Sequence, residues 1–298
     1  MSFSLSQPRI DPVSSLCSLP VAVDVLRLDL LHPVISGNKW FKLKECINAA
    51  KAESKTTLLT YGGVYSNHLV ATAAAASING LKSIGIVRGE EPKNLSHTLL
   101  AAKSYGMSLH FVSREDYRAK VLPRSLYESC DISKSYIINE GGYGLPGKGG
   151  AMTILQQHDV SAYTHILTAV GTGTTLAGLV AAALPHQHVI GIPVLKGAFS
   201  LQQEIKALLL PEKQDGFTLF WDYHFGGYAK YNAALLLFMN RFYEQAQIPT
   251  DFVYTGKAFY AALDLIARAY FPSGAKILLV HTGGLQGNVS LKKGELVF

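Results

Sequence analysis

The chain has 298 residues, enough for one large or two modest domains with a buried core, which excludes a minimal module or a peptide hormone. Its composition is 48% hydrophobic and only 16% charged, too apolar and too weakly charged for a disordered protein. The net charge of +6 is spread along the chain rather than gathered into a tract, so it favours attraction of anionic small molecules over nucleic-acid binding.

The predicted elements begin with a helix near Asn38, where apolar residues recur at helical spacing and Lys39 falls in the first turn. From about residue 56, short β-branched runs alternate with amphipathic stretches rich in Ala and Leu. The predicted strands cover residues 57–61, 83–87, 109–112, 136–139, 165–170, 189–193, 218–223 and 276–281. This alternation predicts an α/β fold with a mostly parallel sheet and helices on both faces.

The densest turn signal is EGGYGLPGKGG, residues 140–150, which we expect to be a loop where the chain crosses between domains. Part of it matches the nucleotide P-loop pattern. The Ser or Thr that would hold magnesium is replaced by Gly149, however, so a P-loop is not predicted.

The spacing of the cysteines and the lengths of the apolar runs indicate the cellular compartment of the protein. Cys17, Cys46 and Cys130 cannot all pair within one chain and show no Cys-x-x-Cys spacing, which indicates a reducing compartment. The N-terminal residues lack the basic start and apolar run of a secretory signal, and no stretch approaches the roughly 18 apolar residues of a membrane span. We therefore expect a soluble cytoplasmic protein without membrane contact.

A turn rich in glycine and threonine follows the predicted strand 165–170 and opens an apolar helix. It consists of Gly171, Thr172, Gly173, Thr174 and Thr175. Backbone N–H groups at a helix N-terminus, joined by hydroxyl donors, form a phosphate site. The turn is not a dinucleotide fingerprint, because Leu176 stands where that motif needs Gly or Ala. A tight turn with threonine caps is the alternative.

A second strand-to-helix turn, GGVYSNH at residues 62–68, presents Ser66, Asn67 and His68 where open α/β sheets bind ligands. Such side chains can bind a carboxylate or a phenolic oxygen. The alternative is that Ser66 and Asn67 cap the helix and His68 lies on the surface. The turn lacks the G-x-S-x-G pattern, which disfavours a serine hydrolase.

Lys39 is the candidate nucleophile, because it opens a helix beside Trp40 and Phe41. These aromatic neighbours can desolvate the amine and lower its pKa. Lys42 and Lys44 lie on the same helix and are expected to be solvated.

Two further motifs place hydroxyls at element ends: VYTGK at residues 253–257 and HTGG at residues 281–284. Each alone is typical of a capped turn. Together with a phosphate site, a candidate Schiff-base lysine and Asn67, they indicate pyridoxal phosphate. No metal is predicted, since the histidines and cysteines lack ligand spacing.

The motifs GNK, GGVYSNH, GTGTT, VYTGK and HTGG, between about residues 33 and 284, resemble those of the 1-aminocyclopropane-1-carboxylate deaminase and D-cysteine desulfhydrase family. These are pyridoxal-phosphate enzymes of the tryptophan synthase β type. The resemblance implies fold type II, with two open, twisted, mostly parallel sheets flanked by helices. A small domain, residues 47–148, would be inserted in a large domain of residues 1–46 and 149–298, and the family usually forms homodimers.

Carried over by position, the resemblance implies how the cofactor is held. Lys39 would form the Schiff base, and Asn67 would meet the ring oxygen of the cofactor. Residues 171–175 would bind its phosphate, and Thr282 would contact its pyridine nitrogen.

The resemblance also implies a pocket for a small amino acid. Ser66 would lie by the substrate carboxylate or act in proton transfer or as a nucleophile, and Tyr254 would be a nearby acid or base. The other implied substrate contacts are Asn67, His68, Tyr228 and Thr255.

The choice of activity depends on Thr255 and Thr282, since the deaminase branch typically has Glu and Leu there and the desulfhydrase branch has this pair. We therefore expect α,β-elimination of D-cysteine to pyruvate, sulfide and ammonia, with Lys39 or Tyr254 removing the α proton. The alternatives are opening of the cyclopropane amino acid to 2-oxobutyrate and ammonia, or a non-catalytic pyridoxal-phosphate binding protein. Val70 stands where the family often has Arg, which bears on carboxylate recognition.

Overall fold

The computed structural model describes residues 5–13 and 21–298, and these form two compact units. Unit 1 comprises residues 39–150, and unit 2 comprises residues 5–38 and 151–298. Unit 1 is therefore an insertion in the sequence of unit 2. The predicted small-domain limits, residues 47–148, stay a prediction. Cys17 lies outside the described residues, and Cys46 and Cys130 are free thiols.

Ten strands and ten α-helices make up the described part of the chain. The strands are β1 (Ile10–Pro12), β2 (Ala22–Arg27), β3 (Thr57–Gly62), β4 (Lys82–Arg88), β5 (Met107–Val112), β6 (Ser135–Ile138), β7 (His165–Val170), β8 (His188–Pro193), β9 (Phe217–Leu219) and β10 (Lys276–His281). The helices are α1 (Asn38–Ala52), α2 (Asn67–Ile78), α3 (His97–Ser104), α4 (Arg114–Ala119), α5 (Arg124–Ser129), α6 (Leu145–Met152), α7 (Thr174–Ala182), α8 (Leu201–Lys206), α9 (Ala233–Ala246) and α10 (Thr255–Ala267).

Each unit contains its own sheet. Unit 1 has the parallel order β5-β4-β3-β6, and unit 2 has the order β1-β2-β10-β7-β8-β9. In unit 2 the pairs are parallel except for β1 with β2. The inner strands are buried on both faces, as expected for parallel sheets covered by helices. The predicted α/β fold with two mostly parallel sheets is confirmed.

Three local predictions were wrong or incomplete. Strands β1 and β2 were missed, although VAVDVLRL before the first helix has the β-branched alternation of a strand. The predicted strand 218–223 ends at Leu219, where edge strand β9 gives way to a 3₁₀ turn that packs Tyr223 toward α10. Residues 145–150 are helical in α6 rather than loop, because the missing Cβ of Gly150 lets that helix approach α1 closely.

The carboxyl ends of three strands position the candidate residues. Strand β3 leads through a short turn into α2, and β7 leads into α7 in the same way. Strand β10 ends directly before the HTGG segment. Ligands of open α/β sheets bind at the carboxyl ends of the strands, so these three strand ends are the candidate binding positions.

Candidate functional site

The turn between β7 and α7 in unit 2 has the donors and the space that an anion site needs. Gly173, the N-cap residue, has φ of +79°, and a Cβ there would lie 2.4 Å from Cγ1 of Ile205, so glycine is required. The N–H of Ala177 donates to the Gly173 carbonyl at 2.9 Å, so the amides ahead of it have no partner within the helix. Thr174 and Thr175 are buried at this positive helix end.

Hydroxyl groups add to these amides. The Oγ1 atoms of Thr172 and Thr174 are 3.3 Å apart, and Nδ2 of Asn38 donates to Oγ1 of Thr175 at 2.8 Å. Thr175 therefore accepts from Asn38 and keeps its own proton to donate. A Cβ on Gly171 would lie 3.3 Å from Cε1 of Tyr254, so the missing side chain leaves room between the turn and that ring. This donor set and this space fit the phosphate group of pyridoxal phosphate.

The segment before α1 is anchored to the end of β10, also within unit 2. The N–H of Asn38 donates to the carbonyl of Thr282 at 3.2 Å. Gly37 has φ of +64°, and a Cβ there would lie 1.9 Å from that carbonyl oxygen. Only glycine fits at position 37, because its backbone lies directly against that of Thr282. Lys39 directly follows Asn38, whose N–H makes the hydrogen bond to Thr282.

The N-terminus of α10 is held by Asp251, which sequence reasoning missed. Its buried carboxylate accepts N–H bonds from Val253, Tyr254 and Thr255 at 2.9, 2.7 and 2.9 Å. It also accepts the hydroxyl proton of Thr255 at 2.7 Å. An aspartate shortly before a predicted helix is a capping signal that could have identified this residue.

The remaining predicted residues of unit 2 are placed around this helix start. The Thr255 hydroxyl, fully buried, accepts from the Asp251 N–H at 2.8 Å and donates back to its carboxylate, so it serves the helix cap. Its contact with substrate stays a prediction. Tyr228 is exposed and packs edge-on against Tyr254, with ring centroids 6.0 Å apart at 72°. The structure thus brings Gly171, Tyr228 and Tyr254 together.

Unit 1 carries the candidate lysine. Lys39 lies half-buried in the first turn of α1, and Lys44 is exposed as predicted. The prediction that Lys42 is solvated was wrong: it is 3% exposed, and its Nζ donates to the carbonyl of Gly141. Burial, together with the positive charge of Lys39, lowers the pKa of Lys42 well below 10.5. Lys39 and Lys42 are three positions apart on α1, so their side chains lie on the same face of the helix.

The turn after β3 carries Ser66 and Asn67. The Ser66 hydroxyl accepts from the Leu69 N–H at 3.4 Å and caps α2, whose first residue is Asn67. A Cβ on Gly62 would lie 2.6 Å from the Ser66 oxygen, so glycine permits this tight turn. Val70, in the second position after the SNH motif, is buried. The first amides of a helix have no acceptor within the helix, so those at the start of α2 can donate to an anionic oxygen.

His68 is not a surface residue, because its ring is 3% exposed inside unit 1. Its Nε2 lies 2.9 Å from Oγ1 of Thr60, which donates its only proton to the carbonyl of Ile138 at 2.8 Å. Nε2 must therefore carry a hydrogen and donate it to the Thr60 oxygen. Burial, reinforced by the charges of Lys42 and Lys39, lowers the pKa of His68 well below 6.5. Nδ1 is left without a hydrogen-bond partner among the described residues.

Comparison with known proteins gives a consistent result. The model of the family described as pyridoxal-phosphate dependent enzyme matches residues 22–283. A Pyrococcus horikoshii protein with the provisional name 1-aminocyclopropane-1-carboxylate deaminase is 31% identical, over 89% of this chain and 85% of that protein. A Salmonella typhi protein named D-cysteine desulfhydrase is 27% identical, over 87% and 86%. A crystal structure described as an ACC deaminase homologue has a TM-score of 0.78 at 27% identity, covering 96% and 91%.

Within the described residues 5–13 and 21–298, none of the helices combines the length and the apolar character needed to cross a bilayer.

Proposed function

Because the chain belongs to the family of pyridoxal-phosphate dependent enzymes, we propose that it converts D-cysteine and water to pyruvate, sulfide and ammonia. When bound, the cofactor supplies an electron sink that stabilises negative charge at the substrate α-carbon. The amides and hydroxyls of residues 171–175 would bind its phosphate, and Lys39 would hold it covalently. As the resemblance implies, Asn67 would meet its ring oxygen, and Thr282 would meet its ring nitrogen.

The chain's own groups then handle the substrate. The Ser66 hydroxyl and the first amides of α2 bind the carboxylate, because a helix N-terminus favours an anion. Lys39, once the substrate amine has taken its place, or Tyr254 would accept the α proton. The carbon–sulfur bond breaks with its electron pair leaving on sulfur, and a proton from the other of these two groups gives hydrogen sulfide. Water then replaces the nitrogen, which releases ammonia and pyruvate.

One observation favours D-cysteine over the cyclopropane amino acid: the Thr255 side chain is bonded in both directions to the buried Asp251. The position is therefore built around a hydroxyl. The glutamate typical of the deaminase branch would bring a second carboxylate against Asp251 in a buried setting, where like charges repel strongly. The hydroxyl of Thr282 does not favour a protonated ring nitrogen as a carboxylate would, which favours loss of a β-substituent over transamination without choosing between the two substrates.

The test compares the two substrates on the cofactor-loaded enzyme. We expect pyruvate from D-cysteine at a higher kcat/KM than 2-oxobutyrate from 1-aminocyclopropane-1-carboxylate. The reverse order would establish the deaminase alternative. Cofactor binding without turnover of either amino acid would favour a non-catalytic binding protein.

A lysine pair on α1 tests the cofactor link. Lys39→Ala should abolish both turnover and the visible absorption band of the covalently held cofactor. The matched control is Lys44→Ala, an exposed lysine on the same helix, which should retain both. A full absorption band in Lys39→Ala would show that another amine holds the cofactor.

We also propose that the enzyme is a cytoplasmic homodimer. It acts on a small amino acid and binds neither nucleic acid nor membrane. The free Cys46 and Cys130 thiols support a reducing compartment. The resemblance supports the dimer, which light scattering of the purified protein would test. A monomeric mass for the active enzyme would refute it.

A further inference from the structure

The proposed function gives no role to Lys257, the last residue of the VYTGK motif. Lys257 lies in the first turn of α10, and none of its surface is exposed to solvent. Its neighbours in the sequence, Ala258 and Phe259, are buried core residues. Burial lowers the pKa of Lys257 to about 8, although the carboxylate of Asp251 works in the opposite direction. A buried amine is unfavourable unless its donors are satisfied, so its contacts indicate what it does.

Two backbone carbonyls receive the Lys257 amine. Its Nζ donates to the oxygen of His224 at 2.8 Å and to the oxygen of Gly227 at 2.7 Å. Both carbonyls belong to one turn, residues 224–227, which lies 30 or more positions earlier in the chain. A single side chain therefore ties both ends of this turn to the start of α10.

The turn itself has an unfavourable backbone. Phe225, Gly226 and Gly227 have φ of +50°, +94° and +120°, three left-handed residues in succession. For Phe225 this conformation costs about 1–2 kcal/mol, so the turn needs support from outside. Its internal bonds are those from the Gly227 N–H to the His224 carbonyl at 3.0 Å and from the Gly226 N–H to Nδ1 of His224 at 2.9 Å. The Phe225 ring also packs edge-on against Tyr260 of α10, with centroids 5.0 Å apart.

The residue that leaves this turn is Tyr228, whose ring packs against Tyr254. Tyr254 directly precedes α10, so both the amine that holds the turn and the ring that receives Tyr228 come from one helix start. We propose that Lys257 is a positioning residue, whose ammonium clamps the 224–227 turn and so holds Tyr228 beside Tyr254 on the substrate side of the site. This inference rests on the proposed function, which places Tyr228 and Tyr254 in the substrate pocket. Lys257 does not itself touch the substrate.

The competing explanation is that Lys257 only stabilises the core. Both explanations predict a lower melting temperature for Lys257→Met, which removes the charge and every donor but keeps the length of the side chain. They differ in the effect on catalysis per folded, cofactor-loaded enzyme. If Lys257 acts through Tyr228, Lys257→Met should no longer change kcat/KM once the Tyr228 side chain has been removed. If Lys257 only stabilises the core, the effect of Lys257→Met should be the same with and without that side chain.

The experiment is a double-mutant cycle of Lys257→Met and Tyr228→Ala, with kcat/KM for D-cysteine measured per bound cofactor. The matched control is Lys213→Met, because Lys213 also donates from Nζ to a backbone carbonyl, that of Ala183, at 2.8 Å. We expect Lys257→Met to lower kcat/KM about tenfold or more in the wild-type background, since small misplacements of site groups have effects of this size or larger. In the Tyr228→Ala background the same change should stay within about twofold, and Lys213→Met should leave kcat/KM unchanged.

Hydrogen exchange supplies a readout that does not depend on activity. In the wild type, the amides of Gly226 and Gly227 should be protected, and in Lys257→Met their exchange should accelerate while the β7 amides are unaffected. Rapid exchange of the turn in the wild type would overturn the proposal even if Lys257→Met failed to fold. An unchanged kcat/KM in Lys257→Met, or an equal loss with and without Tyr228, would overturn it as well. If the wild type turned over neither amino acid, the proposed function would fail, and the exchange measurement would still test the clamp.

Discussion

Replacing Asp251 with asparagine tests how the start of α10, with Tyr254 and Lys257, is held in place. In the wild type, Oδ1 accepts the N–H groups of Val253 and Tyr254, and Oδ2 accepts the N–H and the hydroxyl of Thr255. Asparagine keeps one oxygen and can therefore keep one of these two sets. Its NH₂ group, placed where Oδ2 was, would face the Thr255 N–H as donor against donor.

The size of the effect follows from these bonds. The Thr255 hydroxyl can rotate and accept from the new amide, so one buried N–H is left without an acceptor, at a cost of about 1–3 kcal/mol. The two retained bonds change from charge-assisted to neutral and lose about 1 kcal/mol each. Removing a buried charge offsets part of this loss. We expect a net destabilisation of about 3 kcal/mol, or about 5 °C in melting temperature, since the unfolding entropy is about 2.1 cal/mol/K per residue and the chain has 298 residues.

Scanning calorimetry of the cofactor-loaded enzyme measures this shift. The matched control is Asp215→Asn, because the Asp215 side chain is 95% exposed in its ion pair with Lys206 and should contribute less than about 1 kcal/mol. We also expect faster amide exchange at residues 253–257 in Asp251→Asn. If Asp251→Asn melts within a degree or so of the control, the carboxylate does not hold this helix start and our account of it is wrong.

Two further substitutions test the description of the sites. Because the pKa of His68 is lowered well below 6.5, the unfolded chain takes up a proton below about pH 6.5 that the folded protein excludes, so stability should fall by about 1.4 kcal/mol per pH unit there. His68→Gln should make this slope shallower by up to that amount in urea unfolding measured between about pH 5 and pH 6.5, while the other histidines with lowered pKa values, His32, His110, His165 and His188, keep their share. An unchanged slope would contradict the buried neutral ring of His68. Gly173→Ala would place a Cβ 2.4 Å from Ile205 at positive φ and should weaken cofactor binding about tenfold or more in equilibrium dialysis. The control Gly149→Ala meets no atom within 4 Å and should bind normally, so equal affinities would refute the role of the 171–175 turn.

Features that depend on neighbouring residues could be predicted from the sequence. The strands at 165–170 and 276–281 were placed at their observed limits, because a short β-branched run bounded by polar and glycine residues is a local signal. The strand-to-helix turns that carry residues 62–68 and 171–175 were found for the same reason. Order along the chain was enough to place these motifs at the carboxyl ends of strands.

Features that depend on distant residues needed the tertiary structure. Strand β2 pairs with β10, some 250 residues later, so neither its pairing nor its place in the sheet can be deduced from nearby residues. Residues 145–150 contain the glycines of a loop, yet they form a helix because Gly150 packs on the backbone of Phe41.

The chemical properties of individual side chains also fall into two groups: those that nearby residues reveal and those that depend on distant residues. The motifs were sufficient to identify the cofactor class, because residue type and spacing carry that information, whereas the assignment of Lys39 as the lysine that holds the cofactor stays a prediction. The burial of Lys42, the tautomer of His68 and the bonds of Lys257 to the 224–227 turn were not predictable from local sequence. A hydrogen-bond partner or a desolvating neighbour can come from any part of the chain, and the pKa and orientation of a group follow from those partners.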